Sequence, residues 1–462
     1  MEGEKLSKIL AQFNKQEALR LKKFLRSPFF NQRNDVILLF DLMMKNPGIK
    51  GDALYSSLFP DAPYDDQKLR LVKSYLFRLI EKYLAVREFS EDDLARQYYL
   101  TKAYRKRGLG DYFKKAFKKA RYLLHKQPER NSGFFEYNYR LHWEEHLLAS
   151  KDSPSEIQNL VDLSETLDLR YITLKLKNLC LIAAHQSIYH SEIEPGLSDE
   201  VLKYVQDSNL LEIPAVAIYL FGYQMFDDNK AESAFQHFKS LVLEHGTAFP
   251  GEEIRDLYLM AINYCVRQLN DGNEAYAREA FELYREGLKK EYLLDNGQLS
   301  RFTYHNIVAI GLKIGEFNWV DFFIHTFKNA LQRKYRDSSF SFSLAQLEFS
   351  RKKYGAVLEL LQRANYRDLL LNLGAKTLLL KTYYELQEND LLSAHLDAMT
   401  NYIRRKQIMG YHKTNYNNII RYTRKVLNIN PYDKKAKSQL GEMIEKEEVL
   451  TERNWLLERL KV

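Results

Sequence analysis

Apolar residues recur at helical spacing along most of the chain, with short polar breaks between the runs. From Asp111 to Leu124 they follow the steps that place side chains on one face of a helix. This row consists of Phe113, Ala116, Phe117, Ala120 and Leu124. A later row, Leu391, Ala394, Ala398 and Tyr402, predicts a second amphipathic helix of the same kind. Because no comparable stretch alternates polar and apolar residues strictly, the pattern predicts an all-α fold.

The polar breaks between paired helices recur with a drifting period. We place them at Gly108, Lys151, Ser191, Asp228, Asp271, Gly315, Lys353 and Glu388. Successive breaks lie 35 to 44 residues apart. Such a period is typical of stacked helical hairpins, because a single hairpin cannot bury its apolar face without a neighbour. The sequence therefore predicts an α-solenoid of stacked antiparallel helix pairs.

Several of these pairs resemble tetratricopeptide repeats. The resemblance rests on four segments: Tyr99 to Gly108 with Ala116, Ala120 and Pro128; Ala231 to Phe235 with Phe238; Ala277 to Phe281 with Tyr284; and Val426 to Asp433. It extends over roughly residues 94 to 433 and is degenerate, since the spacing exceeds the usual ~34 residues. It implies a tetratricopeptide-like solenoid.

Two regions lie outside the array. Residues 1–90 read as an N-terminal helical module, residues 91–433 as the helical-repeat solenoid, and residues 434–462 as a C-terminal capping segment. The last segment has no proline and a single glycine, so we predict one long helix. Its expected seam consists of Ala436, Leu440, Met443, Leu450 and Leu457.

Both ends of the chain carry a second resemblance. The residues concerned are Lys23 to Asn31, Leu58-Phe59-Pro60 with Tyr64, and Trp455 to Glu458. They resemble an uncharacterised family of bacterial helical-repeat proteins with degenerate tetratricopeptide-like repeats. The resemblance implies a fold and a lineage, and it supplies no catalytic residues.

Composition adds constraints on the class of protein. Glycine and proline are scarce for 462 residues, with 19 and 10 copies, which disfavours long turn-rich β architectures. Cys180 and Cys265 lie far apart in apolar helical patterns, as expected of reduced structural thiols. The first residues do not have the pattern of a secretory signal peptide, and no apolar run approaches the ~20 residues of a membrane helix. We therefore expect a cytoplasmic protein without a membrane span.

Charge is distributed unevenly along the chain. The formal net charge is +8, yet residues 94–130 carry +10 and residues 401–425 carry +7, so the rest is acidic on balance. The first basic surface is predicted at Arg105, Lys106, Arg107, Lys114, Lys115, Lys118, Lys119 and Arg121. The second basic patch is predicted at Arg404, Arg405, Lys406, Lys413, Arg421, Arg424 and Lys425.

Three interpretations of the first basic surface stay open. It is a solvated face whose charge nearby acidic loops offset, a site for an acidic protein or peptide, or a site for nucleic acid. The helix after Asp65 bears on the last option, because the preceding segment is weakly similar to a helix-turn-helix. A recognition helix needs exposed polar side chains, whereas this one carries Leu69, Val72, Leu76 and Ile80. We therefore expect a packing helix that caps the solenoid.

Catalytic motifs have little support. The segment His142-Trp143-Glu144-Glu145-His146 fits H-x-x-E-H, in which His142 and His146 bind zinc and Glu145 acts as a base. Three fixed positions arise easily by chance, and no third ligand is recognisable, so we expect no metal. Phosphate-binding glycine loops and nucleophile motifs are missing as well. We expect no cofactor and no enzymatic activity.

These observations predict a non-enzymatic scaffold or adaptor that binds a protein or peptide partner, and the lysine-rich helix favours an acidic one. The alternative is a nucleic-acid-binding or transcription-regulatory protein that uses the basic helix within residues 94–130.

Overall fold

The computed structural model describes residues 2–152, 159–189, 193–227, 230–363, 368–406 and 410–461. The first nine α-helices are α1 Glu2–Leu10, α2 Lys15–Leu25, α3 Asn34–Lys45, α4 Gly51–Leu58, α5 Asp66–Glu91, α6 Asp93–Lys106, α7 Gly110–Lys126, α8 Ser132–Asp152 and α9 Leu160–Tyr189. The helices that follow are α10 Ser198–Gln206, α11 Pro214–Gln224, α12 Ala231–His245, α13 Gly251–Asn270, α14 Tyr276–Lys289, α15 Arg301–Lys313 and α16 Phe317–Phe327. The last are α17 Arg333–Ser350, α18 Tyr354–Arg363, α19 Leu369–Glu385, α20 Asn389–Arg405, α21 Gly410–Asn428, α22 Lys434–Lys446 and α23 Arg453–Lys461.

Helices dominate the described residues, and the predicted all-α class is confirmed. Three short 3-10 helices span Asn209–Glu212, Gly246–Ala248 and Lys328–Ala330. A two-residue antiparallel ladder pairs β1 Leu294–Asp295 with β2 Gln298–Leu299. Asn296 and Gly297 join the strands with positive φ at both positions, as a tight hairpin turn requires. Across the described ranges, every helix is too short or too polar to cross a membrane.

The chain divides into two compact units, Met1–Lys175 and Leu176–Val462. In the first unit, α1 to α5 surround one apolar core. Helix α5 is the packing helix that its sequence predicts; its buried residues are Leu69, Val72, Leu76, Leu79, Ile80 and Tyr83. The Asp65 side chain accepts a hydrogen bond from the Lys68 amide at 3.0 Å and caps α5 as expected.

A smaller apolar cluster in the same unit joins α6, α7 and α8. Helices α6 and α7 form a close pair. Gly108, in their connection, has a φ of +71°, which glycine adopts without strain. The chain therefore turns sharply there, and α7 returns along α6 with its apolar row against the cluster.

In the second unit, helices pack on their neighbours in the chain. The closest pairs are α11 with α12, α13 with α14, and α17 with α18. Packing also links α12 to α13, α14 to α15, α16 to α17, α18 to α19 and α20 to α21. Gly311 of α15 sits so close to Val320 of α16 that a Cβ there would collide with the valine side chain. A small residue is therefore needed where these two helices meet.

The structure places five of the eight predicted breaks between helices. They are Gly108, Asp271, Gly315, Lys353 and Glu388. Lys151 is wrong as a break, because α8 continues through Asp152. Ser191 and Asp228 lie outside the described residues.

The predicted face of α20 is also wrong, by one residue. Leu391 is exposed, and so are Ala394 and Ala398, whereas the buried residues are Leu392, Leu396, Met399 and Ile403. Both rows have helical spacing, so periodicity alone does not separate them. The buried row holds the larger side chains and removes more apolar area from water.

The C-terminal segment is two helices rather than the predicted long one. The chain leaves helical geometry at Glu447, whose carboxylate accepts hydrogen bonds from Asn418 at 3.0 Å and from the Tyr422 hydroxyl at 2.9 Å. The Asn415 side chain then exchanges two hydrogen bonds with Thr451, at 3.1 and 2.9 Å. These polar side chains of α21 compete with helix hydrogen bonds and bend the chain between α22 and α23.

Both cysteines are buried, as expected of structural thiols. The Cys180 thiol donates to the Tyr219 carbonyl at 2.9 Å, and burial raises its pKa. Burial likewise raises the pKa of Cys265 to about 12. Neither thiol is therefore a reactive thiolate near neutral pH.

Candidate functional site

Helix α7 separates apolar and charged residues cleanly. All five residues of its predicted apolar row are buried: Phe113, Ala116, Phe117, Ala120 and Leu124. Phe113 and Phe117 stack with ring centroids 5.6 Å apart. Because this row is buried, the residues on the opposite side of the helix face solvent.

The opposite side of α7 is a dense cationic surface, which we call the α7 lysine face; it comprises Lys114, Lys115, Lys118 and Lys119. All four side chains are exposed, and none forms an ion pair with a described residue. Residues four apart on a helix are ~5–6 Å apart at Cβ, so Lys114 with Lys118 and Lys115 with Lys119 repel each other by about 0.2–0.5 kcal/mol per pair. The fold gains nothing from this arrangement.

Two exposed tyrosines border the α7 lysine face. Tyr112 lies at its N-terminal end, where its ring centroid is 5.5 Å from that of Tyr104. Tyr122 lies toward the other end, with the Lys126 ammonium 5.9 Å from its ring centroid. The face thus combines positive charge with accessible aromatic area.

Arg105 does not belong to the predicted basic surface, and this part of the prediction is wrong. Its side chain is 11% exposed and forms an ion pair with Glu144 of α8, whose side chain is 2% exposed, at 2.6 Å. The charge excess of residues 94–130 does not reveal this ion pair, because Glu144 lies 39 residues after Arg105 and outside that range. Arg105 therefore joins α6 to α8 and is not available to a ligand.

The other predicted cations of this surface stay exposed. Lys106 and Arg107 lie at the end of α6, and an Arg107 Nη1 donates to the Ala103 carbonyl at 3.1 Å. Arg121 continues the charged side of α7 by one turn beyond Lys118. These side chains extend the α7 lysine face at both ends.

The second basic patch does not form one surface. Arg404, Arg405 and Lys406 lie at the end of α20, and Lys413 lies near the start of α21. Arg424 and Lys425 are near the other end of α21, and twelve residues of helix separate Lys413 from Lys425 by ~18 Å. The structure therefore distributes the predicted patch over two separate places.

Acidic side chains from other helices also neutralise part of it. Arg421 pairs with Glu447 and Arg424 pairs with Asp397, both at 2.5 Å. The Lys425 ammonium lies 5.6 Å from the Tyr422 ring centroid. Residues 401–425 include no acidic residue, but Glu447 and Asp397 from outside this segment form ion pairs with it.

The H-x-x-E-H segment forms a local hydrogen-bonded cluster on α8. His142 Nδ1 lies 3.7 Å from a Glu145 carboxylate oxygen, and this contact lowers the pKa of Glu145. The Asn159 amide donates to the His142 carbonyl at 3.0 Å and to Glu145 at 3.3 Å. His146 lies against the Trp143 ring, with centroids 5.8 Å apart. Within the described part of the chain, no three His, Cys, Asp or Glu side chains are grouped to hold a metal ion.

A histidine cluster in the second unit was not found by sequence reasoning. His305 of α15 places Nε2 3.2 Å from Ser339 Oγ and Nδ1 3.3 Å from Ser343 Oγ, and both serines are buried. Desolvation, and secondarily the Arg301 charge, lower the pKa of His305 to about 4. The imidazole is therefore neutral near pH 7 and too weak a base to activate either serine. No short motif could reveal it, because α17 supplies the serines.

The sequence was compared with protein-family models, curated proteins and solved structures, and none of them matches the chain.

Proposed function

We propose that this protein is a non-enzymatic helical-repeat scaffold that binds an acidic protein or peptide segment on the α7 lysine face. One observation carries the proposal: four neighbouring lysines are exposed on a well-packed helix without a described acidic partner. A carboxylate-rich ligand would replace the repulsion between them by attraction.

The scaffold part of the proposal rests on how the helices follow one another. Close consecutive pairs such as α6 with α7 and α13 with α14 are the unit from which α-solenoids are built. Glycine at the α6 to α7 and α15 to α16 connections, with φ of +71° and +79°, and buried Ala277 and Ala280 in α14 agree with the tetratricopeptide-like pattern. We propose that the pairs stack as a solenoid, which would present long surfaces for partner binding.

The expected affinity follows from the kind of contact. An exposed ion pair contributes about 0.2–1 kcal/mol, so four of them supply only about 1–4 kcal/mol. A dissociation constant in the micromolar range needs about 8 kcal/mol. The exposed rings of Tyr112 and Tyr122 would have to provide apolar contact as well. The preferred ligand is therefore an acidic segment with apolar residues at its two ends.

Nucleic acid is the alternative ligand, and the spacing of the aromatics disfavours it. Tyr112 and Tyr122 are ten residues apart on one helix, about 15 Å, whereas successive stacked bases require closely spaced platforms. The wide spacing suits a peptide with one apolar residue at each end better.

Fluorescence anisotropy with a labelled helical peptide tests the proposal. The peptide carries glutamates at i and i+4 with a tyrosine-sized apolar residue at each end, and its control has glutamine in place of every glutamate. We expect the glutamate peptide to bind, the glutamine peptide to bind at least about tenfold more weakly, and binding to weaken as salt rises. Equal binding of the two peptides would contradict the proposal.

Charge reversals locate the binding. The variant Lys114→Glu/Lys115→Glu/Lys118→Glu/Lys119→Glu is expected to lose at least about tenfold in affinity. The matched control Arg404→Glu/Arg405→Glu/Lys406→Glu/Lys413→Glu changes the net charge equally and should keep affinity within about twofold. An equal loss in both variants would show that net charge alone drives binding. Tighter binding of single-stranded RNA or duplex DNA than of the peptide, lost in the first variant, would favour the alternative.

A further inference from the structure

The turn between α2 and α3 presents an aromatic ring to solvent. Phe29 is 84% exposed, whereas Phe30 beside it stacks on Phe24 with ring centroids 4.1 Å apart. The Ser27 carbonyl forms the turn by accepting hydrogen bonds from the amides of Phe30 and Asn31, both at 3.0 Å. Because the Phe29 ring stays in water, the fold gains no burial energy from placing it there.

Hydrogen bonds from a buried side chain fix this turn. Asn31 is 5% exposed, and its side-chain amide donates to the Leu25 carbonyl at 2.8 Å and to the Arg33 carbonyl at 3.0 Å. Its side-chain oxygen accepts a hydrogen bond from the Arg33 amide at 3.0 Å. The Phe29 ring in turn meets Phe30 edge-on, with centroids 4.9 Å apart. The Phe29 ring therefore has a defined place on the surface of the first unit.

Four cations lie around the ring. They are Lys23, Arg26, Arg78 and Lys82, all with exposed side chains and none in an ion pair with a described residue. Lys23 and Arg26 precede Phe29 by six and three residues, at the end of α2. The Lys82 ammonium of α5 is 5.0 Å from the Phe30 ring centroid, and Arg78 lies one turn earlier on the same side of that helix. We call Phe29 and these four cations the Phe29 surface.

Acidic side chains in this region are largely paired with other cations. Asp35 pairs with Arg33 at 2.6 Å. Asp41 pairs with Lys22 at 2.7 Å. Glu81, on α5, is exposed and offsets one positive charge. The Phe29 surface therefore keeps a positive excess next to its apolar tip.

We propose that the Phe29 surface binds reversibly to a bilayer that contains anionic lipids. The Phe29 ring enters the headgroup region, and the four cations lie against the negative headgroups. Each Lys or Arg near an anionic leaflet raises the affinity by about fivefold, so the cations supply most of the attraction. One apolar side chain adds to this attraction but does not anchor a chain permanently, and the attachment is therefore reversible.

A short, fixed tip suits a bilayer better than duplex DNA. The Phe29 centroid is 4.9 Å from that of Phe30, which is itself half-buried, so the ring extends only a little beyond the fold. An apolar wedge must pass a DNA minor groove ~7.5 Å deep to reach the base steps. A headgroup region takes up apolar groups from its outer edge and needs no matching pocket, whereas a protein partner would need a pocket rimmed by acids.

Co-sedimentation of the full chain with vesicles is the first test. Vesicles of phosphatidylserine and phosphatidylcholine, mixed at about 1:2, are compared with vesicles of phosphatidylcholine alone. We expect binding to the mixed vesicles that weakens as salt rises, and at least about tenfold weaker binding to the uncharged vesicles. No binding to the mixed vesicles at low salt would overturn the proposal.

Charge reversals locate the contact. The variant Lys23→Glu/Arg26→Glu/Lys82→Glu should bind the mixed vesicles at least about thirtyfold more weakly than wild type. The matched control Lys114→Glu/Lys115→Glu/Lys118→Glu removes the same charge from the α7 lysine face and should bind within about threefold of wild type. Equal losses would show that net charge alone attracts the bilayer and would overturn the proposal. Because the control variant removes the proposed peptide site, the two proposals fail or stand separately.

A tryptophan at the tip reports insertion directly. On mixed vesicles, the emission of Phe29→Trp should shift to shorter wavelength and be quenched by lipids brominated on their acyl chains, relative to wild type with its three native tryptophans. Tyr432→Trp, at a 91% exposed position of the second unit, is the matched control and should show neither effect. Unchanged emission of vesicle-bound Phe29→Trp would contradict the proposal.

Removal of the ring separates the apolar contribution from the charge. Phe29→Ala should weaken binding to the mixed vesicles about fivefold at unchanged helical circular dichroism, because the side chain is exposed in the free chain. If Phe29→Ala loses helicity, the emission of Phe29→Trp decides. Wild-type vesicle affinity of a folded Phe29→Ala would overturn the proposal. A charge-reversal variant that loses duplex DNA binding and keeps vesicle binding would overturn it in favour of nucleic acid.

Discussion

The two basic segments of this chain look alike as sequence and differ as structure. Residues 94–130 and 401–425 each hold a strong excess of Lys and Arg. In the first, four lysines share one exposed face of α7. In the second, Arg421 and Arg424 pair with acids from other helices, and the remaining cations lie at two separate ends.

The difference shows that a charge count along the sequence does not define a surface. Whether basic residues form an exposed surface depends on which side of the helix they occupy and on which acidic side chains the fold brings close to them. Burial of the apolar row of α7 places its four lysines together on the exposed side. In the second segment, by contrast, Arg421 and Arg424 bind Glu447 and Asp397, two acids that lie outside residues 401–425. A basic surface is therefore a property of packing.

The largest expected effect comes from Arg105, the cation of the first segment whose ion pair with Glu144 is nearly buried. Glu144→Ala leaves the Arg105 charge nearly buried without a partner and should lower the free energy of unfolding by about 3–5 kcal/mol. In the second segment, Arg421→Ala removes an exposed pair and should lower it by less than about 1 kcal/mol. Denaturant unfolding monitored by circular dichroism measures both. Similar losses in the two variants would remove this distinction between the segments.

The next largest expected loss of unfolding free energy depends on which face of α20 is buried, and α20 carries the first cations of the second segment. Leu392→Ala should cost about 2–5 kcal/mol, because Leu392 is fully buried, whereas Leu391→Ala should stay within about 0.5 kcal/mol. The two variants are matched in chemistry and adjacent in sequence. A larger loss for Leu391 would restore the face first predicted for α20 and would reorient the cations at its end.

His305 provides a third environment for comparison, because its burial disfavours the charged form of the imidazole. The pKa of His305 is lowered to about 4, so below pH ~6.5 the unfolded chain binds a proton that the folded chain does not. Stability attributable to this residue should therefore fall as the pH decreases from 6.5 to about 4, by up to ~3 kcal/mol. Unfolding of wild type and His305→Gln across this range measures it. Parallel pH profiles would show that His305 titrates normally.

The smallest expected effect is on the stability of the four-lysine variant itself. Lys114→Glu/Lys115→Glu/Lys118→Glu/Lys119→Glu exchanges one set of exposed like charges for another and should change the unfolding free energy by less than about 1 kcal/mol. If the unfolding free energy fell as much as in Glu144→Ala, these lysines would stabilise the fold, and their exposure would no longer indicate a ligand site. Thermal unfolding at low salt is the sensitive measurement.

Much of the fold was predictable because local patterns determine it. The buried row of α7, the cap at Asp65 and the turn at Gly108 follow from helical spacing, side-chain hydrogen bonding and left-handed backbone geometry. Each involves residues close in sequence. For the same reason the four lysines of the α7 lysine face were predictable as a group.

The errors involve residues distant in sequence. The pairing of Arg105 depends on Glu144, which lies on another helix. The end of α22 depends on Asn415 and Asn418 of α21, whose side chains bind the segment between α22 and α23. Local periodicity carries no information on such contacts.

Lysine footprinting measures whether an acidic peptide covers the α7 lysine face. The full chain is labelled with an amine-reactive reagent, with and without the glutamate peptide, and each lysine is quantified by mass spectrometry. We expect all four lysines of the α7 lysine face to react readily in the free protein and to be protected together by the peptide, while Lys406, Lys413 and Lys425 keep their reactivity. Protection of the second segment instead, or no protection of Lys114, Lys115, Lys118 and Lys119 at saturating peptide, would show that the α7 lysine face does not bind the peptide.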